Sequence, residues 1–231
     1  MAAKQSQNGL IRALDAESQS FLLRNAVLVD LTHGEEFSRP GAYIEYVFFP
    51  ERGLESLVAT TADGAMVETG VVGIEGAVGI TEALANAPFF PLANTQVAGS
   101  AWKVSAQDCR TVFMKEPART LIERYAQFLL AEARQSVACQ AFHPLDRRLA
   151  RWIWECYQRS GMGSELPLTQ EFMATMLGNR RASVTEALPK LVAAVRSSRG
   201  KIIVDDPAAL ANYACECRIY IDDMRTKLFQ T

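Results

Sequence analysis

The chain has 231 residues, 49% hydrophobic and 22% charged, with 24 Lys and Arg against 26 Asp and Glu, enough to bury a core as one large domain or two ordinary ones. No apolar run reaches the roughly 18 residues of a spanning helix, and the polar opening Met1–Asn8 lacks the apolar segment of a secretory signal. Two histidines, His33 and His143, exclude a multi-histidine metal centre, and an odd set of five cysteines fits a reducing cytoplasm better than a disulfide framework.

Charge is distributed unevenly. Residues 1–116 hold 8 basic and 14 acidic side chains and residues 117–231 hold 16 and 12, with the stretch Arg147–Val204 the most basic. A basic module on an acidic body suggests a polyanion as partner. A short amphipathic opening (Leu10, Leu14, Phe21, Leu22) leads into residues 26–108, which read as strands separated by turn signals at Gly34, Arg39-Pro40-Gly41, Arg52-Gly53, Asp63-Gly64 and Gly99. Asp63-Gly64 lies between two β-prone runs and predicts a type I′ hairpin. This half is expected to be a small antiparallel sandwich or barrel.

After Pro117 the period changes. Glycine and proline are absent through Phe142, and Ile122, Ala126, Leu129, Ala133 and Ser136 are spaced 4, 3, 4, 3, the seam of a coiled coil. A helix of about 39 Å is longer than one small domain needs, so a dimer spine is expected. A second helix begins at Pro144, with Leu145, Leu149, Trp152 and Cys156 on one face and Arg147, Arg148 and Arg151 predicted on the other.

The most informative stretch runs from Leu168 to Leu188. Thr169 suits a helix N-cap, Phe172, Met173 and Met176 form an apolar face, and Gly178 can take the left-handed backbone of a tight corner. A second helix follows with Val184 and Leu188 inward and Ala174 small at the crossing, which together predict a DNA-binding helix-turn-helix. Arg180, Arg181, Ser183, Thr185 and Glu186 then fall at the groove-facing end. Arg181 is suited to guanine O6 and N7, and Glu186 to cytosine N4. Thr169, Gln170, Ser183, Thr185 and Lys190 are expected nearer phosphates or single base edges. Ser197–Val204 reads as a wing hairpin carrying Arg199 and Lys201. Pro189 should end or kink the recognition helix.

With these elements in order, the sequence resembles the CRP/FNR superfamily of bacterial transcription regulators. The resemblance rests on Phe48-Phe49-Pro50, Gly73-Ile74-Glu75-Gly76, Gln135-Ser136-Val137-Ala138-Cys139, Arg148-Leu149-Ala150-Arg151-Trp152, Leu168-Thr169-Gln170-Glu171-Phe172 and Ala214-Cys215-Glu216-Cys217. It implies an α+β chain: an antiparallel β-roll of jelly-roll type over residues 1–116, a dimerisation helix and hinge over 117–143, and a winged helix-turn-helix over 144–231. It further implies a homodimer on a two-fold symmetric double-stranded DNA site, with RNA polymerase as the further macromolecule such a regulator would meet, no membrane, and no catalytic residues.

Departures from the family bear on the signal. Its cyclic-nucleotide binders hold the phosphate with an arginine late in the β-roll, and here no arginine occurs between Arg52 and Arg110. Asn94 and Thr95 stand where that grip would be and cannot neutralise a phosphate. Cyclic AMP is therefore not the expected effector, and Glu75, Asn94 and Thr95 are left as candidate lining for an unidentified one. The oxygen-sensing branch uses an N-terminal cysteine cluster, whereas the first cysteine here is Cys109. Cys215 and Cys217 alone supply half the thiolates a zinc or iron–sulfur site needs, so they are expected as buried cysteines on a terminal helix, with no metal and no cofactor. His143 is expected at the hinge. Ala182 replaces the glutamate that commonly follows the first recognition-helix arginine, so the usual half-site is not assumed. Two other readings stay open: a degenerate member acting as a protein-interaction module, and a cupin-type β-barrel enzyme, which the single histidine of the β-half disfavours.

Overall fold

A computed structural model describes residues 4–38 and 40–230. Two short helices, α1 (Gly9–Arg12) and α2 (Ala16–Asn25), open the chain. Asn8 caps α1 by accepting from Leu10 and Ile11 N–H, while its own amide donates to Pro50 and Gly76 carbonyls, so one buried side chain anchors the opening to the β-domain.

The β-domain comprises β1 (Val27–Leu31), β2 (Glu36–Ser38), β3 (Ala42–Tyr43), β4 (Tyr46–Thr60), β5 (Met66–Val72), helix α3 (Ile80–Ala85), β6 (Pro88–Phe89) and β7 (Leu92–Ser105). All pairings are antiparallel, in the order β1-β7-β4-β5 with β2 on β7 and a separate β3–β6 pair. The long β4–β7 ladder shifts register three times between Pro50 and Glu55, and these irregularities bend the pair into a roll. The hairpin at Asp63-Gly64 is present but is not of type I′. Asp63 keeps negative φ, Gly64 N–H returns to the Thr61 carbonyl, and Gly64 alone is left-handed at φ 84°, a type I turn followed by a bulge. In the run Pro88–Leu92, Phe89 is core and Phe90 is exposed.

Helix α4 (Ala106–Phe113), N-capped by Ser105, leads to α5 (Ala118–Phe142), 25 residues as the composition predicted. Its buried residues Ile122, Tyr125, Phe128, Glu132, Ser136 and Cys139 are covered by the chain itself, the β-roll along most of the helix and the start of α10 at Cys139. Ile122 and Ser136 are thereby withdrawn from the expected seam. Ala126, Leu129 and Ala133 stay partly accessible, and the exposed side adds Leu130 and Val137, so Ala126, Leu130, Ala133 and Val137 repeat the 4, 3, 4 spacing one face over. No helix among the described residues is long and apolar enough to cross a membrane.

Past His143 the chain enters α6 (Leu145–Arg159), β8 (Glu165–Leu166), α7 (Gln170–Met176) and α8 (Arg181–Ala187). A 3-10 turn (Leu188–Leu191), β9 (Val195–Ser198), β10 (Lys201–Val204), α9 (Pro207–Tyr213) and α10 (Cys217–Lys227) complete it. One continuous apolar core joins Leu54, Val58, Val71 and Val97 of the roll to Leu149, Trp152, Ile153 and Met173 of this half. Helix α6 is therefore buried almost all round: of the three arginines expected opposite its apolar face, Arg147 is exposed, whereas Arg148 and Arg151 are withdrawn from solvent. Both are 7% exposed. Arg151 is held by Glu155 at 2.6 Å, and Arg148 reaches the Leu177 carbonyl.

Candidate nucleic-acid interface

Thr169 caps α7 by accepting the Phe172 N–H at 3.1 Å. Gly178 closes the helix in the left-handed region at φ 61°, and Asn179 N–H returns to the Ala174 carbonyl at 2.9 Å, which turns the chain through the corner. Arg180 occupies the extended N-cap position of α8, whose Val184 and Ala187 point inward. The helix stops at Ala187 because Pro189 carries no N–H for an α-helical bond, and the backbone continues as 3-10. This is the shortened recognition helix that Pro189 predicts.

Arg180, Arg181, Thr185, Glu186 and Lys190 are exposed, and Ser183 is half-buried. Arg181 lies 3.9 Å from Glu171 with both side chains about 70% exposed, a pairing too loose to hold it from another partner. The Thr185 hydroxyl donates to Gln170 Oε1 at 2.8 Å, which joins the two helices. Lys190 stands 3.5 Å from Asp146. Strands β8, β10 and β9 form the wing sheet, Arg199 is exposed at its tip, and Lys201 is paired to Glu165 at 2.7 Å. Arg180 and Ser183 line an open cleft of about 740 Å³ whose opposite wall is Gly64, Ala65 and Met66 of the β4–β5 hairpin.

Between roll and α6 lie two buried polar clusters. In the first, Trp152 Nε1–H donates to Glu68 Oε1 at 2.7 Å, and Ser56 Oγ lies 2.6 Å from Glu68 Oε2 and 2.8 Å from Gln96 Oε1. Gln96 Nε2 in turn reaches Cys156 Sγ. One hydroxyl proton cannot serve two acceptors; a neutral Glu68 donating to Ser56 satisfies all three. Burial, outweighing the Ser56 contact, pushes Glu68 up to about 8.

In the second cluster the Arg159 guanidinium bonds Glu75 through Nε and Nη2 at 3.1 and 2.7 Å, the Val71 carbonyl at 2.5 Å, and Glu132 of α5. Burial raises Glu75, yet Arg159 and its hydrogen bonds outweigh it and hold the carboxyl below its ordinary value. Burial prevails at Glu132, which rises to about 7. The guanidinium beside Glu75 thus comes from α6; both of its bonds run to Oε1, and Oε2 is buried without a hydrogen-bond partner. Thr95 stands across the ladder from Glu55, both buried, with the hydroxyl and both carboxylate oxygens lacking a hydrogen-bond partner. Burial raises Glu55 far above its usual range. Asn94 pairs with Glu36 and Ser56 in register, its Oδ1 buried and unpartnered.

Cys215 and Cys217 are buried at the start of α10, as expected, but they do not stand alone. Cys139 and His143, one turn apart at the end of α5, meet them at the start of α10, with all four donor atoms within 4.8 Å of one another. The i, i+4 spacing of Cys139 and His143 was the signal in the sequence, and only the long-range packing of α10 on α5 joins the two pairs.

Residues 147–213 match the family model of the Crp-like helix-turn-helix domain. This segment is a Crp-like helix-turn-helix. The fold of the whole chain is that of CRP/FNR regulators. The chain is similar to a protein from Eubacterium rectale assigned to that family (16% identity, 90% of this chain and 98% of that one, TM-score 0.67). It is similar also to FixK2 from Bradyrhizobium japonicum (16%, 82% and 98%, TM-score 0.68). A third likeness is to the c-di-GMP responsive global regulator CLP of Xanthomonas campestris (17%, 82% and 99%, TM-score 0.63). No curated protein shows significant sequence similarity to the chain. The Crp-like helix-turn-helix begins within α6 and ends with α9, so the buried contacts of Trp152 and Arg159 belong to it and reach into the roll.

Proposed function

We propose that this protein is a cytoplasmic, homodimeric, sequence-specific DNA-binding transcription regulator whose β-roll responds to a signal other than cyclic AMP. The observation that carries the reading is the exposed N-terminal end of α8, with Arg180 and Arg181 beside the tight Gly178 corner, inside a segment that matches the Crp-like helix-turn-helix model. Arg181 reads a guanine in the major groove; Glu186 faces the same groove; Thr169, Gln170, Ser183, Thr185 and Lys190 position the helix on the backbone. Arg199 contacts phosphate from the wing, and Lys201 serves the same role after leaving Glu165. The stripe of exposed Leu130 and Val137 with partly accessible Ala126 and Ala133 supports the homodimer, in which Leu129 borders the seam.

Against cyclic AMP stand the absence of an arginine late in the roll and the capture of Glu75 by Arg159. Thr95 and Asn94, with Glu55, retain unpartnered polar atoms for a different effector. The cleft between the Gly64–Met66 hairpin and Arg180–Ser183 supports a resting arrangement in which the roll stands beside the reading end. DNA engagement then requires the winged helix to swing about His143, bringing two recognition helices about 34 Å apart in the dimer.

The test is selection from a random duplex pool at near-physiological salt, followed by salt titration on the recovered sequence. A palindrome with half-sites one turn apart, and affinity falling by about 0.9 log units per log unit of salt for each phosphate neutralised, is the expected result. Salt-independent or absent DNA binding by the homodimer, with and without roll effectors, would defeat the proposal in favour of a protein-interaction module.

A further inference from the structure

Four donors from two distant segments converge where α5 ends. Cys139 closes the last turn of α5, His143 follows one turn later as its C-cap, and Cys215 and Cys217 flank Glu216 at the N-terminus of α10. Their donor atoms all lie within 4.8 Å of one another. Cys139 Sγ and Cys215 Sγ are 3.5 Å apart, and His143 Nδ1 is 3.4 Å from Cys217 Sγ. A tetrahedron with metal–sulfur bonds near 2.3 Å and a metal–nitrogen bond near 2.0 Å has edges of about 3.5–3.8 Å. The cluster is therefore already close to the size of a mononuclear site.

The surroundings are built for ligands rather than for packing. The three cysteines form a core cluster with no other buried apolar member, each no more than 5% exposed. His143 Nε2 lies 3.0 Å from Glu216 Oε1, so Nε2–H donating to that carboxylate leaves Nδ1 as a lone-pair donor turned to the thiols. This carboxylate–histidine arrangement fixes the tautomer a metal-bound imidazole needs. Gln135 Nε2 donates to Cys217 Sγ at 3.0 Å, as outer-shell amides do to metal thiolates.

We propose that Cys139, His143, Cys215 and Cys217 bind one Zn²⁺ ion per chain, a closed tetrahedral site that fastens α10 to the end of α5 across the hinge. Three soft thiolates and one imidazole with no position left for water match structural zinc. An iron–sulfur cluster, whose own iron and sulfide atoms stand between the ligands, needs its thiolates farther apart than this set allows. Binding displaces the thiol protons to solvent and forms three zinc–sulfur bonds and one zinc–nitrogen bond with no change of oxidation state. The site pins the chain where it leaves α9 to the end of α5, beside the point where α6 begins, and so joins metal occupancy to the path of the winged helix. It does not depend on the DNA-binding reading.

The test uses the full-length protein, purified anaerobically in reductant. Elemental analysis should find one zinc per chain that survives gel filtration. After chelation, Co²⁺ titration should produce the intense visible d–d bands of a tetrahedral site and thiolate-to-cobalt charge transfer, both abolished by added Zn²⁺. Cys217→Ser should lose stoichiometric binding. Glu216→Gln, which keeps all four ligands and touches an exposed side chain, should bind with 10- to 100-fold lower affinity while retaining its circular dichroism. Reduced wild-type protein that gives neither stoichiometric zinc nor a tetrahedral cobalt spectrum would overturn the proposal. So would inorganic sulfide with iron in the isolated protein, or a Cys139–Cys215 disulfide as its state under reducing conditions.

Discussion

Glu68 offers the sharpest test of how the β-roll is docked to the DNA-binding half. It is buried on β5, accepts the Trp152 indole N–H from α6, and is pushed by burial up to about 8 from an ordinary 4.5. A group with a raised folded-state value holds a proton that the unfolded chain releases. Its stabilising contribution is therefore fully present below pH 4.5 and is lost as the pH rises through about 8. Each pH unit in that window removes about 1.4 kcal/mol, so at pH 7 the native state has given up about 3 kcal/mol relative to pH 4.5 through this one side chain. Glu68→Gln keeps an acceptor for Trp152 and a donor for Ser56 but cannot ionise. Urea unfolding should show the variant gaining on wild type by about 1 kcal/mol or more per unit between about pH 5 and 7.5 and levelling off above about pH 8, with the two close to equal near pH 5. Trp152 fluorescence reports the same contact directly. Parallel pH profiles for the two proteins would refute the reasoning, because they would mean Glu68 is ionised, or solvated, in the folded state at neutral pH.

Arg159→Met leaves Glu75 and Glu132 buried without their counter-charge and should cost about 3–5 kcal/mol in urea unfolding; adding Glu75→Gln and Glu132→Gln should recover most of it, and a cost under about 1 kcal/mol would mean the charges are not buried together. Gly178→Val places a β-branched residue at φ 61° with its Cβ against Val67, so the melting temperature should fall by several degrees for a loss of about 1–3 kcal/mol. Arg181→Ala should weaken operator binding by about 1–3 kcal/mol and relax preference at one base pair, whereas Arg199→Ala should weaken all duplexes nearly equally and lower the salt slope; unchanged affinity and preference in Arg181→Ala would displace α8 as the reading element. Cyclic AMP should leave the melting temperature unmoved, and a saturable rise would show that Arg159 does not close the site beside Glu75.

What could be read from the sequence divides along the range of the forces involved. The helix-turn-helix was legible because its determinants are local: a threonine at a cap, a glycine where φ must be positive, small and large apolar residues at helical spacing, and a proline at the place where α8 changes to 3-10. The hairpin was legible as a hairpin, but Asp63-Gly64 occupies the last two positions of a type I turn instead of its centre, an offset that only the strand register decides. The seam of α5 shows the limit more clearly. Ala126 and Ala133 belong to two overlapping 4-3 patterns, one with Ile122 and Ser136, the other with Leu130 and Val137, and the spacing is silent on which face the β-roll covers. Arg148 and Arg159 look like surface charge because the carbonyl and carboxylates that satisfy them lie on other elements, far along the chain.

The buried polar contacts that join distant parts of the sequence share a location. Glu68 with Trp152, Arg159 with Glu75 and Glu132, and Cys139 and His143 with Cys215 and Cys217 are each contacts between the roll or its long helix and the DNA-binding half. Every one costs desolvation that local propensity cannot repay, so none is needed merely to make its own element fold. Polar groups buried at that junction hold one relative position of the two halves against others, since an apolar interface of the same shape would tolerate sliding while a guanidinium shared between two carboxylates and a carbonyl, or a tetrahedral donor set, does not. A proton on Glu68 or an ion among the three thiols then acts on domain arrangement first and on global stability second. Global unfolding and operator affinity should accordingly respond to different degrees, with DNA binding the more sensitive to changes confined to the junction.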